Sequence, residues 1–192
     1  MGAMKLSLLI LVLTFSLLGC QTQSTSTKET PSESPVSGVV SGAETGGASP
    51  KFSLTSPDGN AINFDPAQNP DNEAFLILFW SQRWDPNVKT LLQRTSELHE
   101  RYAPRGLTII AVSYDDEPAE LRTFLSQNAL PFEVAVGSDT TSKDFEVESV
   151  PTSILVDSNG RIVDRWTGYF DTEELAKRIS PHLPGRNGNS DG

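Results

Sequence analysis

Phe75, Leu76, Ile77, Leu78, Phe79 and Trp80 form an uninterrupted apolar run, rich in aromatics and bounded by polar turn residues. Such a run offers no face to water and reads as a strand buried on both sides. A short polar bend with a second tryptophan, Trp84, follows it, and Asp85 and Pro86 then open a helical pattern. Aspartate suits the cap of that helix, and proline suits its first turn, where a backbone N–H is not needed. A central strand feeding a helix through a short loop is where open α/β sheets place their chemistry.

The flanking sequence supplies the other layers. Phe52 and Leu54 alternate with polar residues, residues 56–60 make a Pro-Asp-Gly turn, and residues 61–64 return, which is a hairpin signal. Residues 65–73 read as a polar loop containing Pro66 and Pro70. Beyond the central strand, Val88, Leu91, Leu92, Thr95, Leu98 and Tyr102 recur at helical spacing, and the pattern stops before Pro104 and Gly106. Residues 107–114 read as a second buried strand, and 118–128 as an amphipathic helix with Leu121, Phe124 and Leu125 inward. Residues 131–136 read as a third strand, and 140–147 as a short helix or turn. Residues 150–165 then form a strand, a tight turn at Asn159 and Gly160, and a return strand. A last helix runs from Thr172 to about Leu183. This alternation is that of an α/β domain.

Two stretches carry a resemblance. The segment Phe79-Trp80-Ser81-Gln82-Arg83-Trp84-Asp85-Pro86-Asn87-Val88-Lys89 resembles the Phe-Trp-x-x-Trp-Cys-x-x-Cys-Lys segment of thioredoxin-fold redoxins, closest to the membrane-tethered, TlpA-like thiol:disulfide oxidoreductases. Asp85 stands at the place of the first cysteine and Val88 at that of the second, with one extra residue between Trp80 and Trp84. Val150-Pro151-Thr152 resembles the place where redoxins carry a cis proline beside the cysteine pair. In the family, that bond leaves the backbone of the preceding residue free to pair with an extended ligand. The resemblance implies a thioredoxin fold over residues 51–184, a central mixed sheet flanked by helices, with an N-terminal β-hairpin extension. It also implies disulfide exchange as the ancestral activity. The Glu and Pro that such redoxins carry after the second cysteine are replaced by Leu91 and Gln93.

The chain contains one cysteine, Cys20, so no intramolecular disulfide can form. Thiolate is the nucleophile of disulfide exchange and of thiol-based peroxide reduction, and residues 51–184 supply none. Residues 6–18 are a short apolar segment after Lys5, with the proportions of a secretory signal. The segment ends in Leu17-Leu18-Gly19-Cys20, which resembles a bacterial lipobox with Cys20 as the lipidated residue. Several acyl chains on one residue anchor stably, whereas a single chain is marginal. Residues 1–20 are therefore expected to be a lipoprotein signal peptide and residues 21–50, rich in Ser, Thr, Gly, Pro and Glu, a disordered tether. A flexible coil of about 30 residues spans about 30 Å. Residues 185–192 read as a flexible tail.

The formal charge of −10 leaves no electrostatic footprint for nucleic acid. His99 and His182 are the only histidines and have no cysteine or second histidine at ligand spacing, so neither metal nor cofactor is expected. Asp115, Asp116 and Glu117 read as an acidic loop capping the helix that begins at Pro118. No catalytic residue is assigned. The expected surface is a docking site for an extended protein segment, built from Trp84, Asp85, Pro86, Val150, Pro151 and Thr152. It would sit on a redox-inactive domain anchored through Cys20 in the bacterial cell envelope and facing away from the cytoplasm. Gln21 after the cysteine favours the outer over the inner membrane where there are two. The competing readings are a TlpA-like thiol:disulfide oxidoreductase and a purely structural envelope lipoprotein.

Overall fold

The structure is a computed structural model and describes residues 44–69, 71–114 and 116–184. The signal-like segment, Cys20, the tether up to residue 43 and the tail lie outside the described residues. Seven strands form one mixed sheet: β1 (Phe52–Thr55), β2 (Ala61–Phe64), β3 (Ala74–Trp80), β4 (Leu107–Ser113), β5 (Glu133–Val136), β6 (Thr152–Asp157) and β7 (Ile162–Thr167). Their spatial order is β2-β1-β5-β4-β3-β6-β7. β3, β4 and β5 run parallel, whereas β6, β7 and the β1–β2 hairpin join antiparallel. This is the thioredoxin-fold arrangement, with the hairpin added at one edge through the single pair Thr55–Val136.

The apolar run becomes β3, an interior strand between β4 and β6, and every residue of it is buried. Successive side chains of a strand point to opposite faces, so β3 supplies two cores at once. Leu76, Leu78 and Trp80 pack with residues of α1 (Val88–Tyr102), α2 (Pro118–Gln127) and α4 (Thr172–Ile179). Phe75, Ile77 and Phe79 pack on the other face with Phe64 and Phe145. Phe145 follows the short helix α3 (Asp139–Asp144) and lies 5.4 Å from the ring of Phe79 and 6.4 Å from that of Phe64. Each fully buried side chain of this size contributes about 1.5–3 kcal/mol relative to exposure, which is why an uninterrupted apolar strand requires cover on both faces.

α1 presents its predicted stripe, Val88, Leu91, Leu92, Thr95, Leu98 and Tyr102, to the first core. It ends in a 3₁₀ turn over Ala103–Arg105 and is closed by Gly106 at φ +89°. A Cβ at position 106 would meet the Glu73 side chain at 2.7 Å, so both the backbone conformation and the space select glycine. The β6–β7 hairpin turns at Gly160, φ +75°, where the Asp157 carboxylate accepts from the N–H groups of Asn159 and Arg161, each at 2.9 Å.

Several boundaries differ from the sequence reading. The helix after β3 begins at Val88 with Asn87 as its cap position, not at Asp85. The polar loop contains a 3₁₀ turn, Pro66–Gln68, capped by the Asp65 carboxylate on the Ala67 N–H at 3.1 Å. β5 starts at Glu133, not 131, and α4 ends at Ile179, with a 3₁₀ turn, Ser180–His182, beyond it. The domain also begins before Lys51. The Gly46 N–H donates to Ile162 O at 2.7 Å, Ile162 N–H to Gly47 O at 2.9 Å, and Ser49 N–H to Gly160 O at 2.8 Å. Small residues at 46–49 let the chain lie along the outer edge of β7 and blunt it. The composition of this stretch conceals that role.

Candidate functional site

The loop between β3 and α1 is held from below by a polar pair, Asp116 and Ser81, of which the sequence alone places Asp116 in a helix cap. Asp116 is buried, and its carboxylate accepts from the Ser81 hydroxyl at 3.1 Å, the Gln82 N–H at 3.1 Å and the Arg83 N–H at 3.3 Å. The Ser81 hydroxyl oxygen in turn accepts from the N–H groups of Arg83 and Trp84 at 3.1 and 3.3 Å. Asp116 therefore secures the 81–84 turn across the ends of β3 and β4. It does not cap α2, whose cap position, Glu117, makes no side-chain capping bond. Asp115 lies outside the described residues.

This anchorage orients the next residues in opposite directions. Trp84 is 62 % exposed, whereas Asp85 is only 4 % exposed. Asp85 Oδ1 accepts from the Asn87 N–H at 2.8 Å and from the Tyr169 hydroxyl. The Asp85 carbonyl accepts from the Val88 N–H at 3.3 Å, closing one turn before the helix proper. Asp85 thus caps a turn leading into α1 rather than the helix itself. Its other oxygen, Oδ2, is buried with no hydrogen-bond partner among the described residues. Val88 is buried in the core beneath, and Pro86 is exposed.

The second half of the expected site sits at the same end of the sheet. The Val150–Pro151 bond is cis. Thr152 opens β6 opposite Phe79, which places Pro151 beside the carboxyl end of β3. Pro151 is buried and its carbonyl accepts from the Gly168 N–H at 2.7 Å. The Thr152 hydroxyl donates to Ser149 O at 2.7 Å and lies 3.1 Å from the Thr167 hydroxyl. Pro151 and Thr152 therefore form the frame of the site rather than its surface. Val150 is half-buried, and its backbone enters none of the hydrogen bonds among the described residues.

Gly168, at φ +94°, turns the chain out of β7 and delivers Tyr169 to Asp85. Tyr169 was not foreseen in the sequence; a lone tyrosine after a strand carries no periodic signal. Burial of its hydroxyl and the hydrogen bond to the Asp85 carboxylate raise its pKa above the usual tyrosine value. Among the described residues, no group of three or more His, Cys, Asp or Glu side chains is placed to hold a metal ion. His99 lies against the Phe132 ring at the other end of α1, and His182 lies past α4.

The AhpC/TSA family model matches residues 45–165, well over half of the chain. The chain belongs to the AhpC/TSA family. Among curated relatives of this AhpC/TSA chain is the thiol-disulfide oxidoreductase ResA of Bacillus cereus, 26 % identical over 140 residues, covering 72 % of this chain and 79 % of that protein. Another is the thiol:disulfide interchange protein HelX of Rhodobacter capsulatus, 29 % identical over 139 residues, covering 67 % and 72 %. A crystal structure of a thiol:disulfide interchange protein of the thioredoxin family from Chlorobium tepidum superposes with a TM-score of 0.62 at 15 % identity, over 71 % of this chain and 96 % of that one. That likeness shows the fold. The TlpA-like resemblance is thus upheld at the level of family and architecture. Among the described residues of this AhpC/TSA domain there is no cysteine. No helix among them is long and apolar enough to cross a membrane.

Proposed function

We propose that this AhpC/TSA chain is a redox-inactive member of the thiol:disulfide oxidoreductase-like redoxins that docks an extended protein segment at the carboxyl end of β3. The observation that carries the reading is the pair of residues at the cysteine positions. Asp85 and Val88 are both buried and both integrated, one into a hydrogen-bonded turn and the other into the core. A carboxylate cannot form or break an S–S bond, and a valine cannot resolve one. Meanwhile the docking elements persist: an exposed Trp84 and a Val150 backbone without partners among the described residues. Exposed aromatics beside an unpaired backbone edge suit strand addition. The lipobox-like segment ending at Cys20 supports a lipid anchor, and with it a location in the cell envelope outside the cytoplasm.

The test is native co-purification from membranes with the wild-type chain and with Trp84→Ala. A partner retained by the first and lost by the second supports docking at this surface; identical sets of proteins with both count against it. The names of the relatives favour a second reading, a thiol:disulfide oxidoreductase. It requires a thiol outside the described domain, and Cys20 is the only one in the sequence. Insulin-disulfide reduction by the wild-type chain and by Cys20→Ala separates the two: turnover by the wild type that Cys20→Ala loses supports the oxidoreductase, and turnover by neither supports the redox-inactive reading.

A further inference from the structure

Trp84 and Tyr169 are the two large apolar side chains exposed among the described residues, at 62 % and 47 %. Both neighbour one carboxylate, Trp84 along the chain and Tyr169 by contact. Trp84 precedes Asp85 in the chain, and the Tyr169 hydroxyl donates to Asp85 Oδ1. Asp85 enters none of the ion pairs among the described residues. The nearest cation in sequence on its amino-terminal side, Arg83, pairs with Glu120 at 3.4 Å. A buried carboxylate oxygen without a donor is costly, and natural structures rarely retain one without a use. A carboxylate with such an oxygen, tied to a half-exposed aromatic ring, suits an organic cation: the ring attracts the charge and the carboxylate accepts its N–H groups.

We propose that Asp85 and Tyr169 form a recognition site for a cationic side chain, arginine before lysine, carried by the docked segment. The proposal rests on the docking reading above and adds its specificity. Tyr169 is the movable cover. It stands on the turn after β7, is nearly half exposed, and is tied to Asp85 by its hydroxyl. Swinging it aside frees Oδ1 of its hydroxyl for the incoming group. Arginine is preferred because its planar guanidinium can stack on an aromatic face and donate two N–H groups to one carboxylate. The chain's net charge of −10 draws a basic segment towards it.

The experiment titrates the protein with acetyl-Gly-Gly-Arg-Gly-Gly-amide and with the same peptide carrying Gln in place of Arg, following tryptophan fluorescence and amide NMR shifts at residues 84–88 and 169. The arginine peptide should bind about tenfold or more tightly than the glutamine peptide, the scale of one charge-assisted contact. Asp85→Asn should abolish that preference, with its fold checked by NMR. Tyr169→Phe, which keeps the ring and removes the competing donor, should bind the arginine peptide at least as tightly as wild type. Equal affinity for both peptides, unchanged by Asp85→Asn, overturns the cation site but leaves the docking surface standing. Binding of neither peptide at millimolar concentration also overturns the cation site; the docking reading then stands or falls on the Trp84→Ala co-purification. A loss of arginine binding in Tyr169→Phe refutes the role of Tyr169 as a cover.

Discussion

Removing the Asp116 carboxylate should release the loop that presents Trp84 and Asp85, and the size of the effect can be reasoned contact by contact. The carboxylate accepts three hydrogen bonds, from the Ser81 hydroxyl and the N–H groups of Gln82 and Arg83. Two of the donors are not stranded by its loss. Arg83 N–H keeps the Ser81 hydroxyl as an acceptor at 3.1 Å, and the Ser81 hydroxyl can redirect its proton. The Gln82 N–H alone loses its only partner among these contacts. Hydrogen bonds to a charged group contribute about 1.5–3 kcal/mol each, and a stranded buried donor costs about 1–3 kcal/mol. Because the three bonds share one acceptor group and are not additive, Asp116→Ala should destabilise the domain by about 2–4 kcal/mol. Asp116→Asn keeps one acceptor oxygen but turns an NH₂ toward a backbone donor, so it should cost about 1–2 kcal/mol. With a urea m-value of about 2 kcal/mol/M, the alanine variant should unfold about 1–2 M earlier by far-UV circular dichroism. Amide exchange at Gln82 and Arg83 should accelerate before global unfolding. An alanine variant within about 0.5 kcal/mol of wild type, the range of an ordinary surface substitution, with unchanged exchange at those two amides, would refute the anchoring role.

The other predictions address the site directly. Asp85 O accepts from Val88 N–H in a single turn, and a turn keeps its first and fourth Cα atoms within about 7 Å, inside or near the range a disulfide spans. The double variant Asp85→Cys/Val88→Cys should therefore form an internal disulfide, read as two protected thiols by alkylation mass spectrometry, and should gain insulin-reducing activity; two free thiols under air would show that more than sulfur has been lost. The Tyr169 phenol, whose pKa is raised in the folded state, contributes stability that is complete below the unfolded value of 10.0 and is lost as pH climbs through the folded value. The phenolate absorbance step missing from Tyr169→Phe should have its midpoint above 10.0 and move down in Asp85→Asn; a midpoint at or below 10.0 contradicts the contact. Trp84→Ala should change stability by less than about 0.5 kcal/mol in urea, because a mostly exposed side chain gives up little on removal; a larger loss would place Trp84 in the structure rather than at the docking surface.

Residues 75–80 determined a great deal by themselves. An apolar strand with no polar face can exist only between two layers, and its seven-residue form, β3, is an interior strand between β4 and β6. The α1 stripe and the β6–β7 turn were equally legible, because helical spacing and the Asn159-Gly160 pair are local signals. The absence of a second cysteine, and with it the loss of internal disulfide chemistry, is a fact of composition that no fold could alter. Tertiary structure decided which polar residues meet. Asp116 reads locally as part of a helix cap, but it lies at the end of β4, beside the end of β3, and binds a loop 33 to 35 residues earlier in the chain. Tyr169 reaches Asp85 across 84 residues, and residues 46–49, compositionally a tether, pair with the edge of β7. Periodicity reports which face a residue occupies within its own element. A contact between the ends of two elements depends on strand order and register, which only the closed sheet fixes.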